Sequence, residues 1–177
     1  MRRLAPVLAD GPELDRIWAE LLKRAGGPRE VETTDDPDLH LIVDGRRVNP
    51  VVADKRRYSF TLDRRPSSVL LRSRSVVPAA LGRNREQRRL GVAITQIVLM
   101  KNGVATEIGY DSELFPEGGH PAEPGFRWTN EELSFSPELL AQIEGELTLD
   151  VNIVHRLRYP VSVASESDEP PVLALAS

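Results

Sequence analysis

His120 and Glu123 are the residues whose types and spacing suit acid–base chemistry, since an imidazole titrates near neutrality and a carboxylate three residues away can orient it. The competing role is structural: both side chains can hydrogen-bond loop backbone and hold a segment that lacks a regular ladder. With no nucleophile and no second tuned carboxylate close by in sequence, the structural role is favoured. Arg127 and Trp128 suit recognition instead of turnover, because an indole stacks on a sugar face and a guanidinium donates several hydrogen bonds to hydroxyls or carboxylates. One aromatic is not a platform, so a packed Trp128 with Arg127 paired to an acid such as Glu123 is favoured over sugar stacking. Arg88 and Arg89 either coordinate an anion or tie their connection to acidic loops. The candidate ligand-binding set is Arg89, His120, Glu123, Arg127 and Trp128, and no catalytic residue, metal ligand or cofactor is assigned.

Composition narrows the chemistry further. The 177 residues contain no cysteine, which excludes a disulfide framework, a thiolate nucleophile and a cysteine zinc site. His40 and His155, like His120, lack the close helical spacing of a metal motif and carry no functional hypothesis. Net charge is −4, but residues 46–89 hold 13 Lys/Arg against 3 Asp/Glu, while residues 102–177 hold 3 against 14. Such polarity can mark an anion-binding or nucleic-acid-binding face. Aromatics that could stack on bases are not interleaved with the arginines, so nucleic acid is not the expected partner. No window is apolar enough for a membrane-spanning helix. The N-terminal apolar run stops at Asp10, too short for a signal peptide, so a cytoplasmic location is expected.

The elements that must position these residues are mostly strands. Leu14, Ile17, Trp18, Leu21, Leu22 and Ala25 recur at helical spacing, with Asp10 as N-cap and Gly26-Gly27-Pro28 as stop, which predicts an amphipathic helix from about Pro12 to Ala25. Strand periodicity follows. Leu39–Val43 leads into Asp44-Gly45, a hairpin signature, with a return strand expected over Arg46–Val52. Tyr58, Phe60 and Leu62 alternate with polar residues, and Ser68–Ser73 is a further strand. After a basic connection over residues 78–89, Gly91–Met100 is a strongly apolar strand that turns at Asn102-Gly103 into Val104–Ile108. Gly109–Gly125 is rich in Gly and Pro and reads as an extended loop. Ser136-Pro137-Glu138 starts a short helix, and the last strand places Leu147, Leu149, Val151, Ile153 and His155 on one face. The expected organisation is an N-terminal helical segment over residues 1–28, a β-domain over 29–160 and a disordered tail over 161–177. The fold class is mainly β: an antiparallel β-sandwich, jelly-roll-like, with one N-terminal amphipathic helix.

The order of these pieces resembles the accessory β-domain that follows the Hint (hedgehog/intein-type) domain in alphaproteobacterial proteins. The resemblance rests on Asp38-Leu39-His40-Leu41-Ile42-Val43-Asp44-Gly45-Arg46-Arg47-Val48, on Arg88-Arg89-Leu90-Gly91-Val92, and on Gly119-His120-Pro121-Ala122-Glu123 with Arg127-Trp128-Thr129, and it covers residues 4–160. Similar β-domains accompany bacterial glycosyltransferases. What the resemblance implies is a β-sandwich accessory domain. The Hint module's self-cleavage depends on an N-terminal cysteine or serine nucleophile ahead of a long β-module, and that chemistry is not carried over. The chain departs from the family pattern at Asn130, where an acidic residue is expected. The expected function is a non-enzymatic accessory or interaction module that recognises carbohydrate or a partner protein. The alternative is a small hydrolase or transferase using His120 and Glu123.

Overall fold

Apolar residues at every second position, punctuated by turn formers, dictate an antiparallel architecture. The computed structural model describes residues 31–82 and 85–161, together with residues 16–17, 20–21 and 23–24. Those six are helical and exposed; the rest of the expected helix over residues 12–25, and residues 162–177 of the expected tail, lie outside the described residues.

The strands in chain order are β1 (Thr33–Thr34), β2 (His40–Val43), β3 (Arg46–Val48), β4 (Val52–Ala53), β5 (Arg57–Leu62), β6 (Val69–Arg72), β7 (Ala93–Lys101) and β8 (Val104–Gly109). They continue as β9 (Arg127–Trp128), β10 (Glu132–Ser134), β11 (Leu147–His155) and β12 (Tyr159–Pro160), with a short helix α1 (Pro137–Gln142) before β11. One sheet has the order β10-β6-β2-β3, a second has β4-β5-β11-β7-β8 with β9 paired to the start of β7, and β1 pairs with β12. Every pairing is antiparallel.

The hairpin turns form where the sequence places them. Asp44 and Asn102, at φ 48° and 50°, each precede a glycine at φ 77°, the left-handed pair that matches strand twist in a two-residue loop. Asp44 also accepts from the backbone N–H of Ser67 and Ser68 at 2.8 and 2.9 Å, which fastens the turn to the entry of β6. The expected return strand over Arg46–Val52 is instead two strands in two different sheets: β3 pairs with β2, and β4 with β5. Pro50 lies between them, and its missing N–H ends the ladder with β2.

One apolar cluster draws on both large sheets. Leu41 and Leu71 from one sheet, Phe60, Ile97 and Leu149 from the other, and Leu139 and Ile143 from α1 and its end are all buried in it. Ser136 caps α1, its hydroxyl accepting from Leu139 N–H at 3.2 Å, while Pro137 fills the first turn. A second, smaller cluster of Leu90, Ala93 and Trp128, flanked by Phe126 and Leu157, lies at the start of β7, where the candidate residues gather.

Candidate functional site

The three segments singled out by the sequence meet at one junction. Residues 127–130 run between the start of β7 and the 118–120 segment. On one side Ala93 pairs with Trp128, Gly91 N–H donates to Thr129 O at 2.7 Å and Thr129 N–H to Val92 O at 2.9 Å. On the other, His120 N–H donates to Trp128 O and Asn130 N–H to Gly118 O, both at 2.8 Å. Gly91 is required by this close approach: a Cβ there would lie 2.4 Å from Asn130 O, 2.5 Å from Thr129 Oγ1 and 2.6 Å from Ser73 Oγ. Its own carbonyl accepts at 2.8 Å from the buried Tyr159 hydroxyl, whose pKa burial pushes up to about 12.

His120 and Glu123 are not joined to each other. His120 Nε2 donates to Arg89 O at 2.7 Å, and the Glu123 carboxylate accepts from both terminal nitrogens of Arg88 at 3.2 Å. Arg88 also holds Glu86 at 2.8 Å, and its hydrogen bond lowers the Glu86 carboxyl to about 2. Both candidate acid–base residues therefore fasten the 119–126 loop to the Arg88-Arg89 connection. The pairing of Arg127 with Glu123 does not form either, because Arg88 takes that carboxylate. Arg127 instead crosses Gly119, where a Cβ would stand 2.7 Å from its Cδ, and its Nε is buried without a hydrogen-bond acceptor.

Trp128 is 9% exposed and belongs to the smaller core. Its indole is stacked by His155 with centroids 6.3 Å apart, and Phe126 meets both rings edge-on at 6.1 and 5.2 Å. His155 was expected on the apolar face of β11. Register shifts between Asn152 and Ile153 and between Ile153 and His155 turn it out of that row, and it is exposed over the indole. His40 is buried; its Nδ1 donates to Asp38 O at 2.6 Å.

Arg89 keeps its side chain 57% exposed, bonded to Ser75 Oγ at 3.2 Å and 3.9 Å from Glu131. It borders a cleft of about 430 Å³ shared with Glu117, Asn130, Glu131, Glu132 and Ser134. Asn130 is a turn former here: its Oδ1 accepts from the backbone N–H groups of both Glu131 and Glu132, the second at 2.9 Å. The sequence reasoning passed over this acidic wall and over Arg72 and Arg74 beside it. The alternating run Arg72-Ser73-Arg74-Ser75 was the available signal. Among the described residues no group of three or more His, Cys, Asp or Glu side chains is placed to hold a metal ion, and no helix is long and apolar enough to cross a membrane.

No family model matches the chain, and no curated protein or solved structure matches it.

Proposed function

We propose that the chain is a non-catalytic recognition module, a sandwich of its two large sheets of the jelly-roll-like kind expected from sequence, whose polar cleft takes carbohydrate. The shared apolar cluster supports the stacking of the sheets. The observation that carries the functional reading is the composition of the 430 Å³ cleft, whose lining holds Glu117, Glu131 and Glu132 together with Arg89. A sugar hydroxyl donates and accepts at once, so a site mixing charged acceptors with guanidinium donors answers both halves of its bonding. An apolar protein partner gains little from such a wall. The acid–base alternative loses support because His120 and Glu123 are each engaged elsewhere. The resemblance to β-domains that accompany Hint modules and glycosyltransferases points toward the same accessory role.

A glycan array followed by calorimetric titration of the best binders tests the reading. Arg89→Ala should weaken binding tenfold or more and leave the melting temperature within a degree or two, since its exposed ion pair contributes under about 1 kcal/mol. Absence of any glycan binding, or full binding by Arg89→Ala, would refute it.

A further inference from the structure

Among the described residues Arg74, like Arg127, has a half-buried side chain with no hydrogen bond and no ion pair. It follows β6 in a pocket of about 300 Å³, bordered by Asp38, His40, Arg72, Ser73, Ser75, Arg89 and Glu131. The charged groups around that pocket are mostly paired, and Asp38 feels the Arg74 charge more weakly than that of Arg47. Arg47 holds Asp38 at 2.5 Å, Arg72 pairs with Glu132, and Arg89 lies 3.9 Å from Glu131. His40 is committed to Asp38 O, with its other ring nitrogen 3.5 Å from Arg47. Among the described residues the Arg74 side chain has no hydrogen bond and no ion pair, and its Nε is buried without an acceptor. A half-buried guanidinium in that condition is an unmet demand for an anion.

We infer that this pocket receives the carboxylate of an acidic saccharide, an inference that rests on the carbohydrate reading above. Charge selects the group. One surplus positive charge matches a monoanion, whereas a phosphate dianion would bring a second negative charge beside Asp38 and Glu131. Shape agrees, because a planar guanidinium fork meets the two oxygens of a carboxylate in parallel. Position selects the source. Arg89 and Glu131 border both this pocket and the 430 Å³ cleft, so a sugar ring in the cleft has its exocyclic carboxylate within reach of Arg74. The Ser75 hydroxyl accepts from Arg89, which leaves its own proton for a ligand oxygen.

The test titrates the full chain with uronic-acid oligosaccharides and with the same oligosaccharides after carboxyl reduction, in the wild type and in Arg74→Gln. The acidic forms should bind at least tenfold more tightly to the wild type. Arg74→Gln should erase that difference, keep the affinity for the reduced forms and not lower the melting temperature. Acetate added as competitor should displace the acidic forms at lower concentration than inorganic phosphate does. If the reduced forms bind and the acidic forms gain nothing, or if Arg74→Gln keeps the preference, the carboxylate site is wrong and the carbohydrate reading stands. Stronger competition by phosphate likewise overturns the carboxylate assignment. If neither form binds, both fall.

Discussion

In the main core, Phe60, Leu149 and Leu99 lie in register across β5, β11 and β7, and each is buried by neighbours that offer only surface and volume. At the junction of residues 88–92 with 118–130 the same β7 sheet continues, but the chain is held by a glycine in contact with backbone, by side-chain to backbone hydrogen bonds and by ion pairs. The first kind of packing is non-directional and tolerates a change of shape at constant volume. The second is directional and tolerates almost none. It also brings many polar groups into a small space, and among the described residues the side chains of Arg127 within it and Arg74 beside it have no hydrogen bond or ion pair. The proposed recognition surface lies where directional packing does not balance completely.

Truncation of Trp128 is the strongest challenge to this contrast. Trp128→Ala should cost about 3–5 kcal/mol, the usual range for a large buried aromatic. Because Trp128 pairs with Ala93 at the start of β7, the loss should appear as one unfolding transition at a lower temperature. A separate early transition, with the main one left in place, would show the junction to be a detachable appendage and not part of the sheet.

Adding a single methyl group sharpens the comparison. Gly91→Ala places a Cβ against Asn130 O, a backbone atom that cannot step aside, and should destabilise by the upper part of the roughly 1–3 kcal/mol range for overpacking. Leu149→Met in the main core changes shape at similar volume and should cost less than about 1.5 kcal/mol. Chemical denaturation of the two variants decides the matter; equal losses would mean that the junction adapts as readily as the core.

The main core was legible in the sequence because its physics is periodic. Tyr58, Phe60 and Leu62, and Leu147 through Ile153, declare their inward face by alternation alone, and Asp44-Gly45 and Asn102-Gly103 announce their turns through the backbone geometry they permit. The split of the Arg46–Val52 segment was hidden because alternation does not say which sheet a strand joins. At the junction, proximity of the Arg88-Arg89, Gly119–Glu123 and Arg127–Thr129 segments could be suspected from residue types, but partners could not. Arg88, not Arg127, takes Glu123, and His120 reaches a backbone carbonyl instead of Glu123. The charge polarity had a tertiary meaning as well: Arg72, Arg88 and Arg89 of the basic half meet Glu132, Glu123 and Glu131 of the acidic half.

The smallest expected effect lies in the Arg88–Glu86 ion pair and is read through pH. Arg88 holds the Glu86 carboxyl at about 2, below its ordinary 4.5. A carboxyl depressed in the folded state favours folding fully above its unfolded pKa, and that contribution fades as pH falls from 4.5 toward 2. The side chains of Arg88 and Glu86 remain 38% and 26% exposed, so solvent screening leaves the contribution under about 1 kcal/mol. Removing the guanidinium in Arg88→Met should therefore lower stability toward urea at pH 6 by less than that amount, and the gap from wild type should close as the pH is lowered to 2.5. A gap that stays constant over this range would place the role of Arg88 in the packing of its stem and remove the pH-dependent part of the contrast between junction and core.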